Sequence, residues 1–350
     1  MRREGGISEN THNILFHNTI PVPRYRYTDA VYSEIMALSR AMNGNIINVY
    51  ALSSYKPWMI KQFMGIAKIK ELRSLDKKVD LHHVFFPFFY DFPYFRLLKK
   101  PIVFTSTSSL MVPIKAYPDR NITYVSSSTR VVQQMSASGV SAIYHVPSGI
   151  DTDSWHTEDP LPAEQPFTLL MASAPHNRDQ FQSKGIYVIL DYLKAHRDIR
   201  LVLIWRGVEA DYMKQLLSDS GLEDQVRFIN EKVDIQKYYR QSHATILLCD
   251  KEGVLKNYPH SLMESICSGR PVIMSNLTEL ATEVKKNKLG VISEANSIEA
   301  LHRSIMEIRA NYQQYQNRCS LFDTSIFDQR EYVEKLRSIY QESLSRLKNE

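Results

Sequence analysis

Short apolar runs alternate with amphipathic stretches along the whole chain, the pattern of parallel-sheet strands joined by helices. In the first half this predicts strands at Asn13–His17, Ile46–Ala51, Leu81–Phe86, Ile102–Ser106, Thr123–Ser126 and Ile143–Val146. Between the first two, Val31, Ile35 and Leu38 recur at helical spacing. In the second half it predicts strands at Phe167–Ser173, Leu201–Trp205, Val226–Ile229, Ala244–Leu248, Pro271–Met274 and Gly290–Ile292. Helices are expected between them at residues 184–197, 208–220, 234–242, 260–268, 277–286 and 297–312. Both halves read as βαβ units, and the polar, proline-bearing stretch 157–166 marks the break. A last amphipathic helix, Asp328–Leu347, carries Tyr332, Leu336, Tyr340 and Leu344 on one stripe.

A chain of 350 residues with 43% hydrophobic content can bury two cores of ordinary size. The 43 basic and 38 acidic residues leave a net charge of only +5, too mild to argue for nucleic acid but compatible with phosphorylated substrates or an anionic membrane. The three cysteines, Cys249, Cys267 and Cys319, lie in or beside apolar segments and read as reduced thiols rather than a disulfide frame. No zinc spacing, no signal-type apolar region and no uncharged run of ~20 residues is seen. The expectation is a cytoplasmic protein, soluble or peripheral on the inner face of the membrane.

The most informative segment runs from Lys256 to Ile273. Its order is turn, helix start, short helix, glycine stop and buried strand. Pro259 suits the helix entry, Ser261 suits the cap, and backbone N–H groups from His260 to Leu262 are expected to point outward, unpaired. A diphosphate can sit at such an end without a metal. Glu264, about one turn further in, can accept hydrogen bonds from the vicinal hydroxyls of a ribose. The same pattern is also how an ordinary α/β protein passes from helix to strand.

The run Pro259-His260-Ser261-Leu262-Met263-Glu264-Ser265-Ile266-Cys267-Ser268-Gly269-Arg270-Pro271-Val272-Ile273 resembles the donor-site signature of retaining GT-B-type glycosyltransferases of family four, glycosyl transferases group 1. Two further stretches agree. Val146 to Asp153, VPSGIDTD, is similar to the family's "IPNGVDTD" segment, and Ser183-Lys184-Gly185-Ile186 is similar to its "EKG" donor-phosphate loop. The resemblance implies two Rossmann-like α/β domains with parallel sheets facing a central cleft. An acceptor-binding domain spans 1–158, a nucleotide-sugar domain spans 159–324, and a helix at about 325–350 returns to the first domain. It also implies metal-independent, retaining transfer of a hexose-type sugar from UDP or GDP to a glycan, lipid-linked or other hydroxyl acceptor, in surface polysaccharide or glycoconjugate assembly. The leaving phosphate would help deprotonate the acceptor by a front-face route. Two alternatives remain open at this stage, a non-catalytic nucleotide-binding relative and another enzyme of this architecture, such as an epimerase or a sugar phosphorylase.

Negative charge developing on the leaving diphosphate calls for a fixed cation, and Lys184, followed by Gly185, is the candidate. The family pairs this lysine with an arginine slightly upstream, here Arg178; Arg206, after a strand, is another basic residue on the donor side. The family's two donor-site glutamates are spaced Glu-x7-Glu, and counting back from Glu264 finds Lys256 in the first place. Lys256 is therefore read as a ligand for phosphate or an acidic sugar, and Glu252 as a substitute only if its loop bulges. Asp80-Leu81-His82-His83 resembles the "DVVH" segment, so His83 is expected at the reaction centre, unless it merely packs. Arg24 and Arg26, interleaved with tyrosines, either grip an anionic acceptor or stiffen a surface loop. Asp151-Thr152-Asp153 spells a metal-binding D-x-D pattern but is read as a turn at the domain connection, and no metal site is expected. The stretch Trp58 to Arg73 mixes apolar residues with lysines and is a candidate membrane-surface helix or a plain cytosolic one.

Overall fold

A computed structural model of the chain describes residues 12–20, 29–50, 64–110, 121–157, 159–162, 166–205, 209–294 and 296–349. Arg24, Arg26, Arg206 and residues 58–63 of the candidate membrane stretch lie outside them. The first parallel sheet is built from β1 (Ile14–Asn18), β2 (Asn45–Asn48), β3 (Leu81–Phe86), β4 (Ile102–Ser106), β5 (Ile122–Ser126) and β6 (Ile143–His145), in the order β2-β1-β3-β4-β5-β6. Helices α1 (Ala30–Ala41), α2 (Ile69–Asp76) and α3 (Thr129–Ala137) belong to this half. The second sheet contains β7 (Phe167–Met171), β8 (Ile199–Ile204), β9 (Val226–Ile229), β10 (Ala244–Leu247), β11 (Val272–Ser275) and β12 (Gly290–Ser293), ordered β12-β11-β10-β7-β8-β9. Its helices are α4 (Asp179–Ser183), α5 (Ile186–Ala195), α6 (Ala210–Asp219), α7 (Gln236–Arg240), α8 (His260–Cys267), α9 (Leu280–Asn287), α10 (Ile298–Ala310) and α11 (Tyr312–Leu321), and α12 (Gln329–Asn349) ends the chain.

The strands β3 and β4 are buried along their whole length, as fits a sheet covered on both faces. Side-chain alternation divides the first sheet between two cores. Leu15, Val84 and Phe104 face an aromatic cluster that includes Phe89, Phe92 and Phe95. Ile14, Phe16, Leu81 and Phe85 face α1 and α12. The α12 stripe of Tyr332, Val333, Leu336, Ile339 and Tyr340 packs on this second face, each side chain contributing about 1.5–3 kcal/mol of burial before ordering entropy is subtracted. The last helix therefore belongs physically to the first sheet.

The chain crosses between the domains twice, side by side. The Ile150 N–H donates to Phe327 O and the Gln329 N–H to Ile150 O, both at 2.8 Å. Asp151 opens a short 3-10 turn, with Ser154 Oγ donating to its Oδ2 at 2.6 Å, and Asp153 is ion-paired with Arg330 at 3.0 Å. Among the described residues no three His, Cys, Asp or Glu side chains gather as a metal would require, and no helix is long and apolar enough to cross a membrane.

Candidate functional site

In each sheet the strand order reverses beside its first strand, between β1 and β3 and between β7 and β10, and ligands of open α/β sheets bind at the carboxyl ends next to such a point. Lys184 is placed there in the second sheet. It closes α4, and Gly185, with φ +66°, turns the chain into α5. A Cβ at 185 would lie 2.5 Å from Asn296 Oδ1 and 3.0 Å from Leu248 Cβ, so only glycine permits the turn. The Lys184 ammonium is buried and donates to Ser173 Oγ at 3.1 Å and Ala174 O at 2.9 Å, just beyond the end of β7.

Helix α8 differs from expectation at its first turn. Pro259 is the extended N-cap residue, without a side-chain cap, and Ser261 lies inside the helix. The Leu262 and Met263 N–H groups both donate to Pro259 O, at 3.1 and 3.2 Å, so the Leu262 amide is already paired, and its side chain is fully buried. Only the amides of His260 and Ser261 precede the first helical acceptor. At the other end Gly269 is left-handed, with φ +71°. The Arg270 N–H reaches Ser265 O at 2.8 Å and the Gly269 N–H reaches Ile266 O at 3.0 Å, a complete Schellman stop.

Glu264, one turn inside α8, accepts from the Tyr239 hydroxyl at 2.9 Å, and the same hydroxyl lies 2.9 Å from Ser261 O. Arg270, 1% exposed, fixes the neighbourhood by donating to Tyr239 O and Arg240 O and to the Tyr312 hydroxyl. Tyr239 was not singled out from the sequence, although a tyrosine pair in an otherwise polar helix was a usable sign.

Lys256 and His260 both reach across the cleft to one residue of the first domain. Glu34, on α1, is ion-paired with the Lys256 ammonium, and His260 Nε2 donates to its Oε1 at 3.1 Å. Burial works to raise the Glu34 carboxyl, and Lys256 and His260 override it and hold it down at about 2. The pair is nearly dry, with Glu34 1% and Lys256 13% exposed. Lys256 is thus compensated within the protein and is not a bare cation awaiting a phosphate.

Further hydrogen bonds line the same seam. Glu279 Oε1 accepts from Ser128 Oγ and the Thr129 N–H, both at 3.0 Å, at the start of α3. Asn257 Nδ2 donates to Ser127 Oγ at 3.0 Å. Glu252 does not join Glu264. It is held by Arg130 of α3 at 2.8 and 2.6 Å, which lowers its carboxyl, chiefly through that hydrogen bond.

The other expected residues are dispersed. Arg178 is two-thirds exposed, 3.2 Å from Glu209 Oε2 and 4.3 Å above the Tyr212 ring. His83 is fully buried on the face covered by α12, where the Glu34 carboxylate also acts on it electrostatically. Its Nδ1 lies 2.5 Å from the Tyr340 hydroxyl and its Nε2 2.6 Å from Thr105 Oγ1. Burial pushes it down to about 3, so the ring is neutral and packed. The adjacent His82 points to the opposite face, where it bonds His17 and Asp76, each at 3.0 Å.

Comparison with known proteins agrees with this fold. Residues 153–320 match the family described as Glycosyl transferases group 1. A phosphatidyl-myo-inositol mannosyltransferase of Mycobacterium leprae (strain TN) is 24% identical over 185 residues, 51% of this chain and 47% of that protein, so the chain spans about half the length of this curated relative. A glycosyltransferase of Rickettsia africae ESF-5 superposes with a TM-score of 0.72 at 17% identity, covering 96% of this chain and 99% of that one. Anabaena Alr3699/HepE in complex with UDP and glucose superposes with a TM-score of 0.70 at 12% identity, covering 95% and 100%. Residues 153–320, most of the second domain, thus match the glycosyl transferases group 1 family, and the whole chain is similar in fold to GT-B glycosyltransferases.

Proposed function

We propose that the protein transfers a hexose-type sugar, with retention and without a metal, from a UDP- or GDP-sugar held by the second domain to a hydroxyl acceptor held by the first. The observation that carries this reading is the presence of three features in the second domain: the Lys184 ammonium beside the switch point, the start of α8 with the His260 and Ser261 amides ahead of its first helical acceptor, and Glu264 bonded by Tyr239. Lys184 and the helix end suit a diphosphate, and Glu264 suits a ribose. HepE was crystallised with UDP and with UDP-glucose, which favours UDP as the first nucleotide to test. Seam contacts from Glu34, Ser128 and Arg130 would exclude water once donor is bound and limit its hydrolysis. The acceptor is a glycan or lipid-linked hydroxyl, with surface polysaccharide or glycoconjugate assembly as the setting and the inner membrane face as the place of action.

The test is a thermal-shift screen of UDP, GDP, ADP and their common sugar conjugates in metal-free buffer, comparing the wild type with Glu264→Ala and Lys184→Ala. A selective stabilisation that both substitutions abolish supports the donor site and names the nucleotide. A second reading, a non-catalytic nucleotide-binding relative, is favoured by Lys256 in the place of the family's first glutamate. It predicts nucleotide binding without turnover on any acceptor, and inverted product from an active enzyme would refute retention.

A further inference from the structure

Both hydrogen bonds to Glu34, from Lys256 and from His260, fall on the same oxygen, Oε1. Among the described residues its second oxygen accepts none, although an ionised carboxylate has about four lone-pair sites. A buried carboxylate left with acceptor capacity calls for an explanation. It stands at the entrance to α8, one helical turn before Glu264, and it reaches there from the first domain.

Two residues near it on the seam carry a buried polar atom without a partner among the described residues. Asn257, adjacent to Lys256, is 1% exposed; its Nδ2 donates to Ser127 Oγ and its Oδ1 has no partner among the described residues. Turning the amide over only exchanges the atom that is left. The Leu280 N–H donates to Asn257 O at 3.1 Å, and two residues before it the Thr278 hydroxyl is buried and also without a partner among the described residues. A carboxylate only accepts, an amide presents either sense, and a hydroxyl both gives and takes. The ligand chemistry that suits the Glu34 carboxylate is a hydroxyl, which the amide and the threonine nearby also tolerate. An anionic group is unsuited, because Glu34 repels it and Lys256 is already compensated.

We propose that Glu34 determines sugar specificity: it takes a hydrogen bond from a hydroxyl of a neutral sugar on the donor and, by neutralising Lys256, excludes sugars that carry a carboxylate. This rests on the reading of the cleft as a nucleotide-sugar site. The first domain then supplies the carboxylate that position 256 of the second domain lacks, and the sugar pocket is complete only when the cleft is closed.

The test is calorimetric titration of the full chain, Glu34→Gln and Glu34→Asp with UDP, UDP-glucose and UDP-glucuronate. GDP, GDP-mannose and GDP-mannuronate replace these if the nucleotide screen selects GDP. The wild type is expected to prefer the neutral conjugate by about tenfold or more. Glu34→Gln should weaken the neutral conjugate by about 10- to 100-fold, leave the bare nucleotide no weaker, and narrow or invert the discrimination against the uronate. Glu34→Asp keeps the charge but withdraws it, so it should weaken the neutral conjugate while still excluding the uronate, and it carries the test if the glutamine variant does not fold. An equal loss for nucleotide and conjugate would reduce Glu34 to a closure contact and overturn the assignment, as would a wild type that prefers the uronate. A wild type that binds no nucleotide and no conjugate overturns the donor reading itself, and the specificity role with it, before any variant is compared.

Discussion

The Tyr239 hydroxyl donates to Glu264 Oε2 at 2.9 Å from a side chain that is itself fully buried, so α7 helps to aim the carboxylate assigned to the ribose. Tyr239→Phe should leave the fold intact and cost about 0.5–1.5 kcal/mol of stability, the net worth of a lost hydrogen bond. Nucleotide affinity should fall by about three- to tenfold as Glu264 gains rotamer freedom. Titration with UDP beside a urea melt checks both. Unchanged affinity would show that Glu264 is held by its other surroundings.

Two kinds of ion pair cross the seam, and their environments decide which matters. Arg130 and Glu252 are 46% and 38% exposed, a setting worth about 0–1 kcal/mol and weakened by salt. Lys256 and Glu34 are nearly dry, and removing one partner strands a buried charge at a cost of about 3–5 kcal/mol. Lys256→Met should therefore open the cleft and raise the radius of gyration in X-ray scattering. Arg130→Ala, or 0.5 M salt on the wild type, should change it little. A reversed order would mean that the surface pair governs closure.

Most of the architecture was legible in the alternation of apolar runs, because parallel strands covered on both faces leave an unmistakable sequence trace. The reading missed α3, whose apolar stripe is only Val131 and Met135, the short α4 and all of α11 beyond its first residue. The glycine turn at Gly185 and the helix start at His260 were legible as well, since both are local devices. The seam was not, because Glu34 and Lys256 are 222 residues apart and local pattern carries no pairing information. One sign was nevertheless present: Glu34 sits within the helical stripe of Val31, Ile35 and Leu38, where an apolar residue belongs. The partners of His83 could not be read from its motif. Strand alternation puts it on the face that α12 covers, where Tyr340 and Thr105 occupy both ring nitrogens and Glu34 acts on it electrostatically.

The buried histidines make stability pH-dependent in a definite direction. His83 is held down to about 3 by burial against an ordinary value of 6.5, and His243 to about 4, by burial first and then Arg270 and Arg309. Between pH 6.5 and those values the unfolded chain binds protons that the folded chain refuses, so stability is full above the unfolded value and falls as pH is lowered. Each fully titrating group adds a slope of about 1.4 kcal/mol per pH unit. Glu34 acts in the same direction lower down, from 4.5 to about 2. Urea melts from pH 7.5 to 5 should show this loss, and His83→Gln, less stable at neutral pH, should show a shallower one. Parallel curves would mean that His83 titrates normally in the fold.

Gly149 tests the crossing between the domains. A Cβ there would stand 2.8 Å from Gln329 Cα and 2.9 Å from Asp328 O, backbone atoms that cannot rotate away. Alanine must therefore push the two crossings apart and strain the pair of hydrogen bonds that Ile150 makes with Phe327 and Gln329. The expected cost is about 1–3 kcal/mol, the range for overpacking, together with a changed domain angle. Gly221→Ala is the fitting control: with φ +60° and nothing within 4 Å of its Cβ, it pays only the left-handed penalty of about 1–2 kcal/mol and leaves the domains as they were. Melting curves give the first comparison and X-ray scattering the second. If Gly149→Ala destabilises the protein but leaves the scattering profile unchanged, the crossings are a rigid clamp and the cleft moves about some other point.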